Sequence, residues 1–228
     1  MPSVSIIVPV LDEASIVAGA LQALTPLRQR DAEVIVVDGG SRDGTAELAR
    51  PRADRVLGAD RGRAAQMNAG ARIARADVLL FLHADTTLPL NADQLVLRAL
   101  TGASAWGRFD VRIEGQGPLL ALVATLMNWR SRLTGIATGD QALFVTRTAF
   151  ADVGGFPEMP LMEDIALSKN LKRISWPVSI AARVVTSGRR WERHGVFRTI
   201  WMMWRLRLAF FLGADPAALA RRYGYVDE

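Results

Sequence analysis

Four short strand-like runs in the first 85 residues constrain this chain more than any other feature. They are Ser3 to Val10, Ala32 to Asp38, Arg55 to Ala59 and Asp77 to Leu82, the last leading into His83-Ala84-Asp85. Apolar runs of this length with polar or glycine-bearing ends suit strands covered on both faces, as in a parallel sheet. Between them lie helical patterns: Asp12 to Leu27, a segment after the turn Gly39-Gly40-Ser41-Arg42-Asp43-Gly44-Thr45, and Gly62 to about Arg75. Asp43 or Thr45 is placed to cap the second of these. Strands alternating with helices at this spacing predict a parallel sheet flanked by helices on both faces, at least as far as Asp85. Open sheets of this kind bind ligands beyond the carboxyl ends of their strands. Asp38 and Asp85 stand at such ends, although either carboxylate can equally serve its own turn.

The second half is less regular. A helix over Asn91 to Thr101 with Asn91 as cap, a half-buried strand over Ala105 to Glu114 and an apolar helix over Leu119 to Trp129 are expected. Thr138 to Thr146 reads as a strand with a polar entrance, and Gly154-Gly155 breaks the chain before a helix that opens on Glu163-Asp164. An acidic pair at that position is favoured by the helix dipole whatever its function. Ser179 to Thr186 is the last expected strand. Val196 to Leu212 sets Trp201, Met202, Met203, Trp204, Phe210 and Phe211 among Arg198, Arg205 and Arg207, a pattern for an interfacial helix or for packing on the body or a twin subunit. Asp215-Pro216 restarts a short helix. The organisation expected is one α/β domain over residues 1–195 and a helical extension over 196–228.

Composition narrows the chemistry. With 228 residues, half of them hydrophobic, the chain can bury a full core, and with no cysteine it has neither a disulfide scaffold nor a thiol nucleophile. The cysteine count and the absence of a basic leader fit a cytoplasmic protein. No apolar stretch reaches the length of a membrane span. A formal charge of +5 favours anionic partners. No Gly-x-x-x-x-Gly-Lys-Ser/Thr is present, and no Gly-x-Gly-x-x-Gly follows the first strand, which counts against a P-loop nucleoside triphosphatase and a dinucleotide dehydrogenase. Asp85 is a hard oxygen ligand suited to Mg²⁺ or Mn²⁺, ions that complete their shells with water and phosphate oxygens. Arg63, Arg189 and Arg190 are candidate phosphate partners. His83 and His194 are candidate metal ligands or hydrogen-bonded structural groups.

Taken in order, Pro9-x-x-x-Glu13, Val-Val-Asp38-Gly-Gly-Ser-x-Asp-Gly-Thr45, Gly62-Arg63 with Asn68-x-Gly70, His83-Ala-Asp85, Gly139-Asp140-Gln141, Glu163-Asp164 and Arg190-Trp191 resemble the family 2 glycosyltransferases of GT-A fold. The resemblance spans nearly the whole chain. It implies a single GT-A, Rossmann-like domain with a mostly parallel central sheet. It assigns nucleotide-sugar contacts to Pro9, Glu13, Asp38, Arg63, Asn68, Ala84 and Asp85, and a divalent cation to Asp85, with His194 as a further candidate ligand. Gly139, Asp140, Gln141 and Glu163 fall on the acceptor side, Asp164 takes the place of the general base, and Arg189, Arg190 and Trp191 lie toward the diphosphate. His83 stands where the family's Asp-x-Asp element has its first aspartate. The segments around Gln66 to Gly70, His83 to Thr86 and Arg189 to Glu192 are also similar to a bacterial subgroup associated with arsenosugar biosynthesis.

The function expected is metal-dependent, inverting transfer of a sugar from a nucleoside-diphosphate sugar, with UDP foremost, to a small or lipid-linked acceptor. A non-catalytic nucleotide-sugar-binding or membrane-associated scaffold is the alternative, and a sugar-phosphate nucleotidyltransferase a weaker one. Nucleic-acid binding rests on charge alone and is not expected. Contact with the inner face of the cell membrane and a homodimer both fit the segment after Val196.

Overall fold

The computed structural model describes residues 2–115 and 117–223, with the side chains of Arg190, His194 and Tyr223 outside that description. Its first half follows the alternation read above. β1 (Ser5–Val10), β2 (Glu33–Asp38), β3 (Arg55–Gly58) and β4 (Val78–Phe81) are joined by α1 (Ala14–Ala23), α2 (Thr25–Arg28), α3 (Thr45–Ala49) and α4 (Arg63–Ile73). The helix expected from Asp12 to Leu27 is two helices: Pro26 has no amide proton to continue the ladder, and the chain re-enters a helix at Thr25.

The sheet has eight strands in the order β3-β2-β1-β4-β7-β6-β8-β5, where β5 is Thr86–Thr87, β6 Trp106–Ile113, β7 Phe144–Thr146 and β8 Val178–Thr186. The first four strands run parallel, and β6 runs parallel to β8, while β7 and β5 pair antiparallel with their neighbours. β4 lies in the middle of the sheet, whereas β5, which begins five residues after β4 ends, pairs with β8 at the far edge. Residues 82–85 therefore cross from the centre of the sheet to its rim. Leu82 N–H is fixed to the Ile7 carbonyl at 3.0 Å, and the Asp85 carbonyl accepts Ser187 N–H at 3.1 Å.

Period-two burial divides the core into two layers. Ile6, Val8, Val34 and Val36 face Val17, Leu21 and Val96, the last on α5 (Ala92–Ala99), while Ile7, Ile35 and Val37 face Met67, Leu167 and Leu171. On the second face α4 sits so close that a Cβ on Gly70 would lie 2.5 Å from Ile7 Cγ2. Gln66, one turn earlier, donates from Nε2 to the Val10 and Val37 carbonyls, both at 2.8 Å, and so ties the ends of β1 and β2 together. Gln66→Ala leaves both carbonyls without that donor, and a loss of about 1–3 kcal/mol in denaturant unfolding is expected.

Three local expectations are corrected. Asn91 precedes α5 but makes no side-chain cap. Only Phe144–Thr146 of the expected Thr138 to Thr146 strand is extended, because Gly139–Gln141 closes into a 3-10 turn with the Gln141 carboxamide accepting Thr138 N–H at 3.2 Å. β6 is buried on both faces except at Arg112, since α6 (Pro118–Thr134) covers the side expected to meet water.

After α7 (Arg147–Asp152), α8 (Glu163–Leu171) and α9 (Arg189–His194), the chain closes with α10 (Val196–Phe211) and α11 (Pro216–Tyr223). Asp215 caps α11, accepting Ala217 N–H at 3.1 Å and Ala218 N–H at 3.3 Å. Leu206, Leu219 and Ala220 pack on Ile136, Leu161, Met162 and Ile165, and Val196 and Ile200 pack against a cluster of Ile113 with Leu120, Val123 and Ala124 of α6. The outer faces of both long helices stay uncovered: Leu119, Leu122, Leu126, Trp129 and Leu133 on α6, and Phe197, Trp201, Trp204, Leu208 and Phe211 on α10. No helix among the described residues is long and apolar enough to cross a membrane.

Candidate functional site

The parallel strands end at one rim of the sheet, where two adjoining cavities open. The larger, about 640 Å³, is lined by Pro9, Glu13, Arg61, Gly62, Arg63 and Gln66 on one side and by Glu158, Met159 and Pro160 on another, with His83, Ala84 and Asp85 at its inner end. The smaller, about 210 Å³, is lined by Gly139, Asp140, Glu163, Asp164, Trp191, Met203 and Arg207 among others. Arg63, His83 and Asp85 border both. The strap between β4 and β5 thus divides the cleft, with Asp85 at the junction.

The turns beneath the larger cavity are stitched to each other. Asp12 N–H donates to Ser41 Oγ at 2.9 Å, Ala14 N–H to Asp43 Oδ2 at 2.9 Å, and Glu13 N–H to Thr45 Oγ1 at 2.8 Å. The Glu13 side chain faces the cavity, and its carboxyl is pushed up from the ordinary value by burial and by the Asp85 charge, against the pull of Arg189 and Arg63. Two carboxyls and two guanidinium groups therefore share this end of the cleft. Arg189 also donates from Nε to Ser187 Oγ at 3.1 Å.

In the smaller cavity Asp164 and Glu163 open α8. Met162, buried and in the left-handed region at φ 70, turns the chain sharply into the helix. Asp164 Oδ2 accepts Gly139 N–H at 2.8 Å, which links the 3-10 turn to α8. Glu163 is 5 % exposed, and burial followed by the neighbouring Asp164 charge pushes its carboxyl up to about 7. Burial also pushes Asp140 upward, but the hydrogen bond and charge of His83 more than offset it and hold Asp140 below the usual carboxylate range.

His83 Nδ1 lies 3.5 Å from Asp140 Oδ1, and its ring leaves no room for a side chain at Gly139. The histidine therefore packs on the Gly139–Gln141 turn while bordering both cavities. No group of three His, Asp or Glu side chains among the described residues forms a preformed metal cage. The donor set at the junction still suits a hard cation: Asp85 offers carboxylate oxygen there, and Mg²⁺ or Mn²⁺ routinely takes its remaining ligands from phosphate and water.

Pro9, Glu13, Arg63, Ala84 and Asp85 meet in the larger cavity, and Gly139, Asp140, Glu163, Asp164 and Trp191 in the smaller one. Three expected residues stand apart. Asn68 donates to the Phe156 carbonyl at 2.8 Å and accepts Phe156 N–H at 2.9 Å, so its carboxamide clamps a loop. Gln141 is fully buried and closes its own turn. Asp38 accepts Gly40 N–H at 3.1 Å and Ser41 N–H at 3.0 Å on one oxygen and the Ser41 hydroxyl on the other. The side chains of Arg190 and His194 lie outside the described residues. The sequence reading missed Arg61, Glu158 and Arg207 as lining residues, and Arg130 altogether. Arg130 lies close enough to Arg207 and Asp164 to feel both charges, and its Nε and Nη2 are buried without a hydrogen-bond partner. Burial, then repulsion from Arg207, lowers its pKa to about 10, with Asp164 acting the other way. Arg130 directly follows the apolar stretch Leu119 to Trp129 and is followed by Ser131 and Arg132, so nothing in the sequence signals its burial.

A model of glycosyl transferase family 2 matches residues 5–146, more than half of the chain. The chain belongs to glycosyl transferase family 2. Among curated relatives of this family 2 chain, a PGL/p-HBAD biosynthesis glycosyltransferase of Mycobacterium bovis is 36% identical over 101 residues, covering 41% of this chain and 39% of the relative. An undecaprenyl-phosphate 4-deoxy-4-formamido-L-arabinose transferase of Pseudomonas aeruginosa is 31% identical over 146 residues, 59% of this chain and 41% of the relative. The chain thus spans about two fifths of the length of these relatives. The mannosyltransferase PcManGT of Pyrobaculum calidifontis, solved with GDP-Man and Mn²⁺, superposes with a TM-score of 0.67 at 20% identity over 98% of this chain and 69% of that one. TarS of S. aureus, solved with UDP-GlcNAc, gives 0.62 at 19% identity over 82% and 58%. These likenesses establish the GT-A fold for the chain.

Proposed function

We propose that this family 2 protein transfers a sugar from a nucleoside-diphosphate sugar, UDP-linked in the first instance, to the hydroxyl of a small or lipid-linked acceptor, with inversion at the anomeric carbon and dependence on Mn²⁺ or Mg²⁺. One observation carries the reading: two cavities share Arg63, His83 and Asp85, and the Glu163–Asp164 pair lies in only one of them. The larger has room for a nucleotide sugar, with the diphosphate directed toward Arg63, Asp85 and Arg189. Asp85 would hold a divalent cation, which when bound would supply countercharge to the departing diphosphate. That solved neighbours hold UDP-GlcNAc or GDP-Man supports a nucleotide donor.

In the smaller cavity Asp164 accepts the acceptor's hydroxyl proton. The freed oxygen attacks the anomeric carbon from the face opposite the diphosphate, forming one C–O bond as the bond to phosphate breaks. The Gly139 amide holds Asp164 in place, and Glu163, near its own midpoint of ionisation at neutral pH, limits the negative charge beside it. Arg63 and Arg189 steady the diphosphate as charge builds on its bridging oxygen.

Thermal unfolding of the protein across a panel of nucleotide sugars, with and without Mn²⁺, tests donor and cation together. A metal-dependent rise with one nucleotide sugar is expected. Asp85→Asn should weaken metal-supported nucleotide binding by about ten- to a hundredfold, the range found when a metal site loses supporting groups. Equal affinity for Asp85→Asn and wild type would remove Asp85 from the site.

A further inference from the structure

Two helices that leave their outer faces bare are packed against each other. α6 and α10 meet where Val196 and Ile200 pack against the cluster that Leu120, Val123 and Ala124 of α6 form with Ile113. On each helix the exposed stripe recurs every three or four residues beside that seam, on the side away from the sheet. Trp129, Trp201 and Trp204 are 64 %, 66 % and 72 % exposed, and Leu126, Phe197 and Leu208 extend the surface between and beyond them. Isolated apolar side chains on a surface need no explanation, but a surface continuous over two helices does.

Charge indicates what covers it. Neither α6 nor α10 contains an aspartate or glutamate, and residues 189–213 hold six arginines against Glu192 alone. Arg198 and Arg205 are exposed on the flank of the α10 stripe opposite the seam. At the far end of α10, Lys169 Nζ stands 4.5 Å from the centre of the Phe211 ring. A second copy of the chain fits poorly, because a two-fold contact sets each surface against itself and brings arginine to arginine with no carboxylate on either helix to pair them. Leucine and aromatic side chains rimmed by arginine, with tryptophan rings among them, match the boundary between acyl chains and anionic headgroups.

We infer that α6 and α10 together form a docking face for an anionic bilayer, both helices lying in the plane of the interface. Trp191, Met203 and Arg207, which line the smaller cavity, belong to α9 and α10, so that cavity opens beside the docked face. On the transferase reading given above, an acceptor embedded in the bilayer reaches Asp164 without leaving the lipid surface. The docking itself does not depend on that reading.

Flotation of the full chain with vesicles tests it, comparing phosphatidylcholine alone with phosphatidylcholine containing phosphatidylglycerol. Binding to the anionic vesicles at low salt, weakened by added salt and accompanied by a blue shift of tryptophan emission, is the expected result. Leu126→Glu on α6 and the double variant Trp201→Glu/Trp204→Glu on α10 should each reduce partitioning by about tenfold or more, while keeping the wild-type melting temperature and nucleotide-sugar response. The inference fails if the wild-type protein ignores anionic vesicles, or if Leu126→Glu binds them as wild type does. It also fails if Trp204→Glu merely converts a stable dimer into a monomer. Vesicle binding without any sugar transfer would sink the transferase reading and leave the docking face standing.

Discussion

Asp164→Asn is expected to lower turnover by about a thousandfold, within the range of general-base removal, while nucleotide-sugar affinity stays within about twofold of wild type. Asparagine keeps the size of the side chain and a carbonyl oxygen able to accept Gly139 N–H, so the 3-10 turn and α8 remain joined. What disappears is the capacity to take a proton. The larger cavity is untouched, because Asp164 lines only the smaller chamber. Steady-state rates at saturating donor, together with direct titration of the nucleotide sugar, separate the two effects. A variant that loses donor binding along with turnover would place Asp164 in the architecture of the cleft rather than in its chemistry.

The second large effect is on stability and concerns the neighbouring residue. Glu163 holds its proton up to about pH 7 in the folded protein, whereas an unfolded chain gives it up near the ordinary value of 4.5. Between these two values the folded state binds more protons than the unfolded one, so stability falls as pH rises from about 4.5 to about 7 and levels off above. The total loss is on the order of 3 kcal/mol, since a tenfold difference in proton affinity between the two states corresponds to about 1.4 kcal/mol. Glu163→Gln removes this group's contribution, and urea unfolding at pH 5 and pH 8 should show the variant gaining on wild type only at the higher pH. A wild-type protein whose midpoint follows that of Glu163→Gln at both pH values would show that Glu163 ionises as freely folded as unfolded. At neutral pH the same titration leaves Glu163 only about half ionised, which lessens the repulsion within the acidic pair.

The parallel half of the fold was legible because β1, β2 and β4 are buried on both faces and so read as nearly unbroken apolar runs. The same logic misjudged Thr138 to Thr146. Periodicity registers the apolar residues from Ala142 to Val145, but the path before them is decided by Gln141 folding onto Thr138 and by Asp164, 25 residues away, accepting the Gly139 amide. Polar residues were legible as a set and not one by one. Asp85, Glu13 and Asp164 reach the cleft, while Asp38, Asn68 and Gln141 spend their polar atoms on nearby backbone. In sequence the two groups look alike, because an amide or carboxylate that serves a turn is the same residue type as one that serves a ligand. Arg130 escaped notice because Asn128, Ser131 and Arg132 beside it read as the polar end of a helix, and only the folded chain brings it near Asp164 and Arg207.

The crossing of residues 82–85 from the centre of the sheet to its rim has a consequence for the timing of catalysis. The strap is held at Leu82 by β1, at Thr86 and Thr87 by β8, and at the Asp85 carbonyl by Ser187. Fixing those backbone torsions costs conformational entropy, roughly 1–2 kcal/mol per residue, and folding meets that cost once. On the reading proposed above, donor and cation would arrive at a carboxylate whose main chain is already set, so little of their binding free energy would go into ordering it. A chain that instead left Asp85 on a free loop would meet the same cost anew in every catalytic cycle.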